Sequence, residues 1–261
     1  MTAMTGQHNS AIAEAELTRI KVRGKDLCKD LIGKIGFTEY FLLLLTGSAP
    51  SPSLIKITDA TLVALAEHGL VPSVQAARMT LAAAPDAVQG AVAAGLLGCG
   101  SVILGASENA GLLLRQVIAS AEVGSHDLDA AALECLRPIR AARQALPGFG
   151  HPVHRGGDPR AARLLELADQ WSISGQHVAA LAAVQRAIKP VWGREFVLNV
   201  SGAIPAVLLD AGYPADALRG IPLLARTASL IAHLLEERQR PIGFVLSDAA
   251  LAAIDYDGGE P

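Results

Sequence analysis

Aromatic side chains are scarce in this chain, at 4% of 261 residues, and charged ones are few, at 18%, while 51% of residues are hydrophobic. Such a composition excludes a disordered or fibrous protein and leaves room for one large domain or two modest ones. Neither sign of charge is in surplus: 22 basic residues face 25 acidic ones, for a formal net charge of −3. Without a cationic excess there is little to neutralise a phosphate polymer, so nucleic acid is a poor partner. Cys28, Cys99 and Cys135 are the only cysteines, widely spaced and without a C-x-x-C pair, which reads as reduced structural thiols. Metal-ligand spacings such as H-x-x-x-H and H-E-x-x-H are lacking, so no metal is expected. Nicotinamide, nucleoside triphosphate and serine-hydrolase chemistries weaken likewise, because G-x-G-x-x-G after a strand, G-x-x-x-x-G-K-[ST] and G-x-S-x-G are all missing. The first residues carry no basic segment followed by an apolar one, so a cytoplasmic protein without a secretory signal is expected.

Mean hydropathy is high, at +0.36. Ala87 to Ser107 is uncharged and nearly long enough to span a bilayer, but Gly90, Gly95, Gly98, Gly100 and Gly105 interrupt it and much of the rest is alanine. Closely packed helices, or a subunit contact, explain such small residues better than a membrane. Elsewhere the pattern is helix after helix. The spacing predicts helices opening at Thr58-Asp59, Pro72-Ser73 and Pro85-Asp86, then over 108–123, 127–146, 158–169, 175–188, 196–211 and 219–238, with Pro138 kinking or restarting the fifth. Strand candidates are limited to RIKVRG near the start and IGFVL near the end. The tail from Asp255 reads as a frayed terminus.

One loop stands apart. PGFGHPVHRGGDPR, at 147–160, concentrates glycine, proline and histidine where backbone can approach a ligand closely. His151 within it suits proton exchange with a hydroxyl or carbonyl near neutrality. Arg160, at a helix start, suits a carboxylate or phosphate unless Asp158 occupies it in a local ion pair. His68 lies at a helix end before Gly69, where a C-terminal dipole partner is the plainer role. Arg226 sits in the otherwise uncharged IPLLARTASLIAH, so it needs either an anionic ligand or an internal partner such as Glu195 or Asp210.

GFGHPVHRGGDPRA at 148–161 resembles the signature of the citrate synthase superfamily. The resemblance extends in order to HGLVPSVQAAR at 68–78, GSVILGASENA at 100–110, LNVSGAIPAVLLDAGYP at 198–214 and RTASLIAHLLEERQRP at 226–241. The short length looks like the citryl-CoA lyase-like branch, related to the C-terminal part of ATP-citrate lyase. It implies an all-α homodimer with a large domain (1–147 with 219–261) and a small one (148–218), with no tightly bound cofactor. A di- or tricarboxylate and an acyl-CoA would meet in the cleft between them. His68, Arg160 and Arg226 match residues holding oxaloacetate or citrate, and Arg240 matches an arginine contributed across the dimer. His151 matches the residue that holds the acid and exchanges its proton. Gly148, Phe149, Gly150 and Val153 match the region near the CoA chain. Two positions depart from the pattern: Ile103 stands where citrate synthases place an enol-stabilising histidine, and Ser201 stands where the family has its aspartate base. The implied activity is cleavage or formation of a citryl-CoA-type thioester. A silent, acid-binding paralogue or an enzyme for another acyl-CoA and 2-oxoacid pair also fits.

Overall fold

The computed structural model describes residues 9–100, 104–124, 127–150 and 157–259, which fall into two compact units, Met1–Asp59 and Ala60–Pro261. In the first unit, β1 (Ala13–Ala15), β2 (Ile20–Val22) and β3 (Lys25–Asp26) form an antiparallel sheet in that order, with Ala13 opposite Val22 and Val22 opposite Lys25. The expected strand in RIKVRG is thus present. Arg23 and Gly24, both at positive φ, make the two-residue turn that suits the twist of such a hairpin. Asp26 then caps a single π-helical turn, Leu27–Leu31, and α1 (Phe37–Thr46) follows and ends at the left-handed Gly47. Val22, Leu31 and Leu43 bury the small apolar centre.

After α2 (Pro52–Ala66), the second unit is built from α3 (Pro72–Ala83), α4 (Val88–Leu97), α5 (Ala106–Gly124), α6 (Leu128–Ala141), α7 (Pro159–Gln170), α8 (Gln176–Trp192), α9 (Val200–Asp210), α10 (Gly220–Gln239) and α11 (Gly243–Ala253). Helix accounts for 66% of the described residues and the sheet is tiny, so the fold is all-α. The boundaries follow local chemistry. Asp127, Asp158 and Asn199 cap α6, α7 and α9 with side-chain oxygens, while Pro72 and Pro159 occupy first positions where no N–H is needed. Helix α6 runs through Pro138 without ending.

Two apolar centres hold the unit together. Leu114, Val117, Leu136, Val184 and Ile188 centre the packing of α5, α6 and α8, with Ala206 of α9. Val74, Ala77, Ala91 and Leu230 centre the packing of α3, α4 and α10. No helix among the described residues is long and apolar enough to cross a membrane. The glycine-rich stretch instead supplies α4, where a Cβ on Gly95 would come within 2.7 Å of Leu230 and 2.8 Å of the Ser73 carbonyl.

IGFVL is not a strand. It begins α11, because Glu237 Oε1 accepts the N–H groups of Ile242 (2.9 Å) and Gly243 (2.7 Å) and so satisfies the helix start. A short apolar run has no period of its own to separate the two structures, and the deciding carboxylate lies on the preceding helix.

Candidate functional site

One group of site residues converges on the start of α9. Gly148 and Gly150, both at positive φ, bring the glycine loop alongside 197–199: Gly150 N–H donates to Val197 O (2.7 Å) and Asn199 N–H to Gly148 O (3.0 Å), with Phe149 opposite Leu198. The approach is backbone to backbone, since a Cβ on Gly148 would stand 2.5 Å from Gly202 Cα. Asn199 closes the arrangement, donating through Nδ2 to Gly150 O (2.6 Å) and accepting from Ser201 N–H (3.0 Å).

The far end of the loop is tied to the same helix. Asp158, 3% exposed, accepts from Val200 N–H (2.9 Å) and from Arg160 through its N–H (3.0 Å), Nε (3.0 Å) and Nη2 (2.9 Å). Burial pushes the Asp158 carboxyl up, but these donors outweigh it and hold the group at about 2. Arg160 is therefore in the local ion pair, with Nη1 the part of its guanidinium not committed to Asp158. The first N–H groups of α9 are also spent on Asp158 and Asn199, so what this helix start offers a ligand is the half-buried Ser201 side chain.

A second group lies where α3, α4 and α10 meet. Arg226 is 4% exposed, and its Nε and Nη1 have no hydrogen-bond partner among the described residues; the fully buried Ser73 lies beside Cys99. The internal partners weighed for Arg226 are engaged elsewhere. Glu195 pairs with Lys189, and Asp210 accepts from Gly175, His177 and Val178 at the start of α8. Cys99 is adjacent: burial pushes its thiol up, against the opposing pull of Ser73 and Arg226. Buried guanidinium donors without an acceptor are costly, and a carboxylate is the acceptor that matches them.

His68 is exposed in the connection from α2 to α3, two residues beyond the helix end rather than inside its last turn. The beginning of α5 lies beside the first group, where a Cβ on Gly148 would stand 3.4 Å from that of Ala110, and Glu108 there pairs with Arg219 (3.1 Å) just ahead of α10. Arg240 does not join them. It is exposed at the other end of α10, about 21 Å along the axis from Arg226 at 1.5 Å per residue. His151, Val153 and Ile103 lie outside the described residues; nearby Leu104 has a φ of 71°, unusual without glycine.

Sequence reasoning missed Asn199 and Gly202, which lie close on either side of Ser201, where an Asn cap and a small residue at a helix start were visible; Ser73 was noted after His68 at the start of the next helix, without a role. No cluster of metal-ligating side chains occurs among the described residues, and Cys28, Cys99 and Cys135 are unpaired thiols.

Comparison with known proteins decides the lineage. The family model for the citrate synthase C-terminal domain matches residues 8–243. The chain belongs to the citrate synthase family. A citrate synthase from Synechocystis is 29% identical over 214 residues, 78% of this chain and 50% of that protein. Citrate synthase 2 of Bacillus subtilis is 26% identical over 211 residues, 77% of this chain and 52% of that one. The chain thus spans about half the length of these curated relatives. Among solved structures, citryl-CoA lyase from Hydrogenobacter thermophilus is similar with a TM-score of 0.85 and 27% identity, covering 98% of this chain and 96% of that one. ATP citrate lyase from Methanothrix soehngenii, in complex with citrate and coenzyme A, has a TM-score of 0.77 at 20% identity over 98% of this chain and 42% of its own, a likeness of fold.

Proposed function

We propose that the protein is a citryl-CoA lyase-type enzyme, cleaving a citryl-CoA-type thioester into an oxaloacetate-type 2-oxoacid and an acyl-CoA. The observation that carries the reading is Arg226, whose buried donors await an anionic acceptor. The end-to-end likeness to a citryl-CoA lyase supports this branch of the family.

In the reaction, His151 takes the proton of the substrate hydroxyl. The carbon–carbon bond breaks, the hydroxyl carbon becomes the oxoacid carbonyl, and the electron pair moves onto the acyl thioester as an enolate; a water held by Ser201 protonates it, and the hydroxide left behind takes up the proton that His151 removed. Arg226 and His68 hold the acid, joined by Arg160 through Nη1. The thioester lies along Gly148 to Val153. CoA is a substrate here, and no tightly bound cofactor enters. On the same reading the protein works in the cytoplasm as a homodimer, with 148–218 as the smaller lobe. The separation of Arg240 from Arg226 along α10 is what an arginine lent to the partner subunit requires.

Incubating the full chain with citryl-CoA and measuring released oxoacid tests this. Release should fall by about 100-fold or more in His151→Ala, the usual worth of a general base. Equal rates from both proteins overturn the lyase reading.

Ser201 favours a second reading, a protein that binds the acid without turning it over. A hydroxyl lacks the basicity of a carboxylate, and such a loss costs about 10²–10⁴ in rate. Calorimetric binding of citrate with no thioester consumption over hours would select it.

A further inference from the structure

We propose that Glu67 is a positioning residue for His68, acting as a clamp between the α2–α3 connection and α10; this rests on the reading of His68 as an acid-binding residue. Each oxygen of the Glu67 carboxylate has its own task. Oε1 accepts the N–H groups of His68 (2.9 Å) and Gly69 (2.5 Å), and so fixes the turn in which Gly69 takes a φ of 70°. Oε2 accepts from Ser229 Oγ (2.6 Å) and lies 3.0 Å from His233 Nε2.

The histidine is itself oriented. Arg78 Nη1 stands 3.3 Å from His233 Nδ1, and since a guanidinium only donates, Nδ1 is the acceptor and Nε2–H points to Glu67. Arg78 is 2% exposed and anchored by Glu237 (2.6 Å), Glu236 (2.7 Å) and the Arg240 carbonyl (3.0 Å). A continuous series of hydrogen bonds therefore runs from the buried arginine of α3 through α10 to the backbone that carries His68. Ser229 is one turn from Arg226, so the same helix face that buries the free guanidinium also sets the position of His68. Burial raises the Glu67 carboxyl, but Ser229, His233 and Gly69 outweigh it and hold the group at about 2, an acceptor throughout the neutral range.

The test combines amide hydrogen exchange at Gly69, read by NMR on the full chain, with citrate affinity by calorimetry. The Glu67 side chain is 54% exposed, so Glu67→Ala should still fold, with a lower thermal midpoint than the wild type. In it, Gly69 should exchange at least about tenfold faster and citrate should bind about tenfold more weakly, the usual effect of losing one or two hydrogen bonds. Ser229→Ala should move both in the same direction by less. In a His68→Ala background, adding Glu67→Ala should cost no further affinity, because the clamp acts through His68. Unchanged Gly69 exchange in Glu67→Ala overturns the proposal. So does wild-type citrate affinity in that variant, or a loss that persists in full without His68. If the wild type itself binds no citrate, the functional reading fails instead, while Gly69 exchange and the His68 ring shifts still decide whether Glu67 sets this turn.

Discussion

Arg226 holds two buried donors, Nε and Nη1, that no described residue answers. Its buried donors penalise the empty protein, so Arg226→Met should raise the thermal midpoint without ligand, removing a penalty of about 1–3 kcal/mol. The same substitution should abolish any rise produced by citrate, and scanning calorimetry with and without citrate reads both effects. Asp158 behaves in the opposite sense. Its folded value, about 2, lies below the ordinary 3.8, so its stabilisation is complete above that ordinary value and drains away as pH falls toward the folded one. About 2 kcal/mol is involved at neutral pH. Urea midpoints of wild type and Asp158→Asn should therefore differ at neutral pH and converge only as pH falls to about 2. The residues with charge in odd surroundings, Arg160 and Arg226, were visible in the sequence, and so was the choice each faced between a ligand and an internal partner. The structure pairs Arg160 with Asp158 and leaves Arg226 unpaired among the described residues. Glu67 was hidden because its importance lies in partners 162 and 166 positions away, beyond the reach of local pattern.

The junction of the glycine loop with α9 is controlled by two residues without side chains. A methyl on Gly202 would sit 2.7 Å from Leu198 Cδ1 and 2.8 Å from the Gly148 carbonyl, and neither chain can yield without moving the loop. Gly202→Ala should cost about 1–3 kcal/mol in urea unfolding, as overpacking does, and should raise protease cleavage near 148–160. Most helices were legible because caps and prolines mark their starts and glycines their ends. Helix α9 was expected to begin at Phe196, but 196–199 is held by the loop, an influence no local period records. Helix α2 begins six residues before the expected Thr58, at Pro52, a first-position proline passed over in favour of the Thr-Asp pair. In IGFVL the missing information was the carboxylate of Glu237, which makes a helix start from a stretch that reads equally well as strand.

At the scale of the molecule, the scarcity of charge in the sequence makes each buried charge consequential. Arg78 and Glu237, 2% and 3% exposed, join α3 to the end of α10, and Glu237 also starts α11. Removing Arg78 should cost about 3–5 kcal/mol, because Glu237 is left buried without a cation, whereas removing Glu237 should cost less, since Arg78 keeps Glu236 and the Arg240 carbonyl. Arg78→Met combined with Glu237→Gln should recover part of that loss, a coupling that a double-mutant cycle of urea midpoints measures. The pair also limits how such a sequence drifts. A change at Arg78 alone passes through a protein with a stranded carboxylate, and a change at Glu237 alone through one with an uncapped helix, each a sizeable share of the stability of an ordinary domain. Lineages descending from this chain should therefore keep both residues or replace both together, and single-residue intermediates should be found only beside a second, compensating change on α3, α10 or α11.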